Sequence, residues 1–295
     1  MWSRSPVVAA VSLAILAVAW GAIPLFVRND VPSTALVGAR VTFGAIALIA
    51  AAAATRRLVW PSGRLRRLAL SGALLALHWV TFFESIKHAS VAVALAVLYV
   101  GPIVASILAG PLLGESVSGR LWLALSVAMA GTILVVQPWS ATDGGAVTTR
   151  GLVMAVASAA FLAALLLVGK PVAKRLGGLT MAIGELTVAS LILAPATVSA
   201  VTEYREYWVS FIVLGALFTG LAGYVYWDAM QALPLAAVSV IMYLEPASAV
   251  VWAAVFLAEV PGPLTWVGVA LVVAGGAVAG YTSNEERVIS APVTL

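Results

Sequence analysis

The sequence contains no cysteine, so it can form no disulfide, no thiol nucleophile and no thiolate metal site. Charge is nearly as scarce: 9% of the 295 residues are Asp, Glu, Lys or Arg, against about a quarter in soluble domains. So few charged side chains cannot cover the surface of a water-soluble enzyme. The only two histidines, His78 and His88, form no HExxH pattern, and no glycine-rich phosphate loop precedes a Lys-Ser or Lys-Thr pair. An intramembrane metalloenzyme and an ATP-driven pump therefore both lack a basis, and no ring of charge or filter-like segment speaks for a channel. The formal charge of +4 belongs to loops, so it does not point to nucleic acid. Neither a cofactor nor a metal is expected.

What the chain does have is 63% hydrophobic residues, which makes it a membrane protein. A helix needs roughly twenty apolar residues to cross about 30 Å of hydrocarbon. Breaking the chain at its charges, glycines and prolines gives ten spans: 7–27, 34–54, 68–84, 91–113, 120–136, 151–168, 179–198, 208–230, 235–257 and 264–281. The first resembles a signal peptide, with Arg4 ahead of it and Ala17, Val18 and Ala19 as a small-residue motif, but its apolar run continues to Val27 and is read as a span. On the side of the N-terminus lie Arg4, Arg56, Arg57, Arg64, Arg66, Arg67, Arg120, Lys170, Lys174, Arg175 and Arg287; the other side has Arg28, Lys87, Arg150 and Arg205. The positive-inside rule then puts both termini in the cytoplasm of a bacterial-type inner membrane.

One sentence is written twice. "LYVGPIVASILAGPLLGESV" from Leu98 and "MYLEPASAVVWAAVFLAEVP" from Met242 share Tyr, Pro, Ala, Leu and Glu in register at an offset of 144. At the same offset Trp122 matches Trp266, Gly131 matches Gly275 and Glu84 corresponds to Asp228. A repeat unit of five spans is odd, so the second copy enters the bilayer upside down. The expected fold is an all-α integral membrane protein: ten transmembrane helices as two inverted five-helix repeats around a central cavity. Residues 1–136 make the first repeat, 137–150 a linker, 151–281 the second repeat and 282–295 a polar tail. Inverted repeats are a signature of secondary transporters, whose two halves exchange shapes about a midplane site.

These residues resemble the EamA type of the drug/metabolite transporter superfamily. "WGAIPLFVRNDVPSTALVGARVTFGAIALIA" from Trp20 resembles its opening pattern, with Arg28 and Arg40 at the basic positions. Each repeat then closes with a proline, a Glu, a Trp and a Gly: Pro102, Glu115, Trp122 and Gly131, then Pro246, Glu259, Trp266 and Gly275. Two departures stand out: Ala258 replaces the glycine that precedes Glu115 in the first half, and Trp227 has no strict aromatic mate. The resemblance implies export of small metabolites, amino acids or drugs among them.

Pro102 and Pro246 fall near the centres of the fourth and ninth spans, where each removes a backbone hydrogen bond and serves as a candidate hinge. Tyr99 and Tyr243 share a face with these prolines. With Trp20, His78, Trp79, Phe82, Phe161, Tyr224 and Trp227 they are the expected aromatic wall of the cavity, the alternative being packing or interfacial belts. Arg40, His78, Glu185 and Glu245 are ionisable groups inside spans, each costing roughly 2.5–3.5 kcal/mol at a helix centre. Arg40 and Glu185 are candidate proton or gating groups, Arg40 alternatively snorkelling outward, and the two sit too far apart in depth for an ion pair. Glu245, beside Pro246, is a candidate for loading a proton, for facing a substrate amine or for bonding a neighbouring helix. Glu84 and Lys87 read as a surface pair, and Glu115 and Glu259 as capping groups. One midplane arginine is too few for a phosphorylated cargo. The expected partners are therefore the lipid bilayer, a small-molecule substrate and protons as a coupling ion. Neutral or aromatic amino acids lead as cargo, and a lipophilic cation held by Glu245 is the alternative.

Overall fold

The computed structural model describes residues 5–26, 31–59, 61, 63–89, 91–140, 147–256, 258 and 260–290, without side chains for 24, 26, 140 and 280–290. Arg4, Arg28, Glu259, the side chain of Arg287 and the end of the tail lie outside this description. All regular structure among the described residues is helical. Seven helices are long and apolar enough to cross a bilayer: Ser33–Ala54 (α2), Leu65–His88 (α3), Val91–Leu113, Gly119–Val136 (α6), Thr149–Leu176 (α7), Arg205–Met230 and Leu235–Phe256. An eighth span arises if Gly178–Ile192 (α8) and Ala194–Glu203 (α9), bent by 76°, count as one. Pro195, in the second position of α9, cannot donate the bond that would continue α8, which accounts for the bend. Pro6–Trp20 (α1) and Pro263–Ala279, the first part of α14 (Pro263–Ser290), are shorter apolar helices.

Three spans are internally broken. Val91–Leu98 (α4) gives way to Val100–Leu113 (α5) at Tyr99, three residues before Pro102. Leu235–Met242 (α12) gives way to Leu244–Phe256 (α13) at Tyr243, three residues before Pro246. Each proline lacks the N–H that would bond the carbonyl four residues back, so the axis resets at that point. The third break has no proline. Trp208–Gly215 (α10) passes into a π-helical turn, Ala216–Leu221, before Ala222–Met230 (α11), and such a wide turn leaves carbonyls free for other partners.

Packing follows small residues. α6 and α14 cross where Gly131 faces Gly268 so closely that a methyl group on either would meet the other's carbonyl. α3 packs on α7 and α11 on α1, and α5 packs on α7 and α13 on α1. Likewise α3 packs on α8 as α10 and the π turn pack on α2. The sixth span runs past its expected end at 168 because Lys170 is only 1% exposed and ion-paired inside the protein, rather than marking a loop.

Candidate substrate cavity

The broken spans, α1, α2, α3, α7, α8 and α11 surround a cavity of about 410 Å³. Arg40 on α2, His78, Trp79 and Phe82 on α3, Glu185 on α8 and Glu245 at the start of α13 all line it, so helices far apart in sequence bring both signs of charge into one space. Trp20, Tyr99, Pro102, Trp227 and Pro246 line it as well.

Arg40 does not snorkel. It is 3% exposed, its Nε donates to Thr219 Oγ1 at 3.3 Å, and its guanidinium lies 4.5 Å from the Trp79 ring centre and 5.7 Å from that of Phe83. Two aromatic faces and a hydroxyl thus hold the cation without an ion pair. Thr219 belongs to the π turn, whose Phe218 carbonyl also accepts from Trp20 Nε1 at 2.9 Å. The turn therefore fixes both Arg40 and Trp20. Glu245 is near enough to Arg40 for their charges to interact. The Tyr99 hydroxyl is directed at the same carboxyl, yet it is buried with no partner at hydrogen-bonding distance.

His78 is 5% exposed, and its Nδ1 lies 3.1 Å from the Ser158 carbonyl and 3.0 Å from Ser158 Oγ; the hydroxyl in turn donates to the His78 carbonyl. A carbonyl only accepts, so this contact assigns the proton to Nδ1. Glu185 differs from the others. It is 4% exposed and its Oε2 has no hydrogen-bond partner, with Trp227 and Tyr226 beside it.

Three expected wall residues stand elsewhere. Tyr243 is fully buried behind Tyr99, with ring centres 5.1 Å apart, and its hydroxyl donates to the Tyr99 carbonyl at 2.7 Å. The wall of the eighth span is Thr219, Gly223, Tyr226 and Trp227, so Tyr224 is turned about 100° away from Gly223. Tyr226 takes its place, stacked on Trp20 at 5.8 Å. On α7 the wall is Leu162, Leu165 and Leu166, and Phe161 packs into the core beside it. The i, i+3 spacing within "YVYWD" pairs Tyr224 with Trp227, but the face toward the cavity runs through Thr219, Gly223 and Tyr226 at i, i+4 and i+7, a choice that only the neighbouring helices make. The Glu84–Lys87 surface pair is replaced too: Glu84 meets Arg150 at 3.5 Å and His88 at 3.6 Å, while Lys87 Nζ donates to the Val31 carbonyl at 3.2 Å.

The two ends of the cavity differ. At one end the lining reaches Val31, Ser33, Lys87 and Val91, next to the α1–α2 and α3–α4 connections. Toward the other it stops one turn short of Lys170, whose Nζ contacts Glu115 Oε1 at 2.6 Å and the Leu233 carbonyl at 2.7 Å. Glu115 Oε2 accepts from the Leu235 N–H at 2.8 Å, at the first residue of α12, and Lys174 stands 3.5 Å from Oε1. Far from merely capping α5, Glu115 ties three elements together. Burial pushes its carboxyl up, but Lys170, the Leu235 N–H and Lys174 outweigh that and hold it below the usual carboxylate range. Among the described residues no group of three or more His, Asp or Glu could hold a metal ion.

An apolar all-helical bundle around a cavity bearing both signs of charge belongs to the class of membrane transporters. The EamA-like transporter family matches residues 7–137 and again 149–281, and the chain belongs to that family. It is similar to the uncharacterized transporter YxxF of Bacillus subtilis (strain 168), 25% identical over 206 residues, 69% of this chain and 66% of that protein. It is also similar to the uncharacterized transporter YwfM of the same organism, 23% identical over 264 residues, 85% of this chain and 88% of that one. One solved crystal structure has the same fold, with a TM-score of 0.78 at 20% identity over 97% of this chain and 99% of that one.

Proposed function

We propose that this protein is a secondary transporter that exports small amphiphilic metabolites, neutral or aromatic amino acids foremost, by alternating access across a bacterial inner membrane. The observation that carries the reading is the placing of Arg40 and Glu245 in one aromatic-walled cavity. A zwitterion has one group for each: its carboxylate meets the guanidinium, its ammonium meets the carboxylate, and its side chain lies among Trp20, Trp79 and Tyr226. Ten spans in two inverted repeats fit the two family matches, the packing that recurs when spans one to five are exchanged with six to ten, and the sum of seven long helices, one bent pair and two short ones. With cytoplasmic termini, the Glu115–Lys170 pair seals the cytoplasmic end and the cavity opens outward.

Purified protein in proteoliposomes, offered radiolabelled amino acids, tests this reading. Saturable entry of phenylalanine or another neutral amino acid, competed by its unlabelled form, is the expected result; absence of entry for the whole panel by well-folded protein would reject it. A lipophilic cation is the second reading, favoured by the two carboxyls, Glu185 and Glu245, that line the cavity among aromatic rings.

A further inference from the structure

We infer, resting on the transport reading, that Thr219 of the π turn is a positioning residue: it holds the Arg40 guanidinium so that Nη1 and Nη2 meet the two oxygens of a cargo carboxylate end-on. Part of the guanidinium is already engaged. The Trp79 and Phe83 rings lie 4.5 and 5.7 Å from its carbon, and Nε donates to Thr219 Oγ1 at 3.3 Å. Among the described residues Arg40 makes no other hydrogen bond and no ion pair, and its Nη atoms are not enclosed, so they open on the cavity. With Nε occupied, a carboxylate has the end-on approach left, where two parallel N–H donors match its two oxygens. Lys87, the other cation of the lining, is exposed at the mouth with its Nζ on the Val31 carbonyl, so Arg40 is the deep one.

The hydroxyl is held as firmly as the arginine. Gly44 stands one turn along α2 from Arg40 and rests on the π turn: a Cβ there would come within 2.9 Å of the Gly215 carbonyl and 3.1 Å of the Gly220 nitrogen. A Cβ on Gly220 would in turn come within 2.8 Å of the Gly44 carbonyl. Backbone thus lies on backbone, which fixes the register of Thr219 against Arg40. The Phe218 carbonyl of the same turn accepts from Trp20 Nε1 at 2.9 Å and ties the turn to the end of α1. At the offset of 144 the mate of Thr219 is Leu75, inside the unbroken α3, so neither the wide turn nor the hydroxyl belongs to what the two halves share. Such turns concentrate at functional sites. A guanidinium ordered beforehand by a hydroxyl and two rings loses less freedom on meeting a carboxylate than one that swings on a long side chain. The deep part of the cavity therefore selects a planar carboxylate and refuses an amide of the same shape.

The test is calorimetric titration of full-length protein in detergent, with phenylacetate as the carboxylate probe and phenylacetamide as its uncharged isostere. Phenylacetate should bind at least about tenfold more tightly. Thr219→Val, checked for folding by size exclusion, keeps the shape, deletes the hydroxyl and should weaken phenylacetate about tenfold with no change for phenylacetamide, while Thr219→Ser restores the affinity. In Arg40→Lys, which keeps the charge without the fork, Thr219→Val should cost nothing further. Equal binding of the two probes by the wild type would overturn the assignment by itself. So would an unaffected Thr219→Val variant, equal losses for both probes, or a loss that persists in Arg40→Lys, since a merely structural threonine gives the last two. Thr219→Ala makes the same deletion should the Val variant not fold. Phenylalanine entry into proteoliposomes reports the transport reading separately: entry with an insensitive Thr219→Val removes the positioning role alone, and selective phenylacetate binding without entry removes transport alone.

Discussion

The spans broken at Tyr99 and at Tyr243 share a local chemistry and differ in what the neighbouring helix leaves free. Both place a Tyr at the break and a Pro three residues on, and both segments end in a left-handed residue, Gly114 at φ 69° and Ala258 at φ 55°. In the first, the residue before the proline is Gly101, pressed so close to the Ala159 carbonyl of α7 that a Cβ would come within 2.6 Å of it. In the second, that position is Glu245, and the glycine sits on the partner helix instead: Gly21, just past α1, lies against the Glu245 carbonyl and Ser248. Close packing is kept in both halves. Because the missing side chain is supplied from opposite partners, one half gains a carboxyl facing the cavity and the other a tight seam.

Exchanging these residues breaks the comparison most directly. Gly101→Glu forces a carboxylate into the Ala159 backbone; overpacking and an unpaired buried charge together cost more than about 5 kcal/mol. No monodisperse protein is expected by fluorescence-detected size exclusion. Next in size, Lys170→Met leaves Glu115, at the end of the first broken segment, with only Lys174 and the Leu235 N–H, and should cost about 3 kcal/mol of thermal stability in detergent. A pH series sharpens this. The folded carboxyl of Glu115 is held below its ordinary value of 4.5. Its stabilisation is therefore complete above that value and is lost as pH falls through the lower folded one. The Tm of the wild type should drop across that window, and Glu115→Gln should flatten this part of the curve.

The reciprocal exchange, Glu245→Gly, should fold with little change in Tm and lose at least about tenfold in uptake, as expected for deletion of a charge-assisted contact. A fall in Tm as large as that of Lys170→Met would show instead that Glu245 is a packing group. Smaller still is Tyr243→Phe, which deletes the bond to the Tyr99 carbonyl and should cost about 1 kcal/mol; Tyr99→Phe should cost close to none because its hydroxyl lacks a partner. Finally, Ala258→Gly relieves a left-handed alanine and should raise stability by about 1 kcal/mol, whereas Gly114→Ala should lower it by a similar amount.

Much of the frame was legible because the bilayer enforces it: spans must be long and apolar, and prolines must break them. Arg40, Glu185, His78 and Glu245 stood out as costly groups for the same reason. Their relations were not legible. Arg40 looked free to snorkel because nothing in its own helix shows that Trp79, Phe83 and Thr219 would enclose it. Tyr224 and Tyr226 stand on one helix with Trp227, and nothing in its spacing says which face meets the cavity. Lys170 was assigned to a loop because its partner, Glu115, is 55 positions away in the chain.

The sequence by itself determined the class: the scarcity of charge, the long apolar segments and the sentence repeated at 144 residues fix a membrane chain with two related halves, since solvation and backbone hydrogen bonding act locally along the chain. Only the tertiary structure decided which side chains share the cavity, which carboxyl has a cation for a neighbour and which has none, and which end Lys170 and Glu115 seal. Those outcomes depend on angles and distances between helices far apart in sequence, set by the packing of small residues, and a charge has no meaning for binding until the groups across the cavity from it are known.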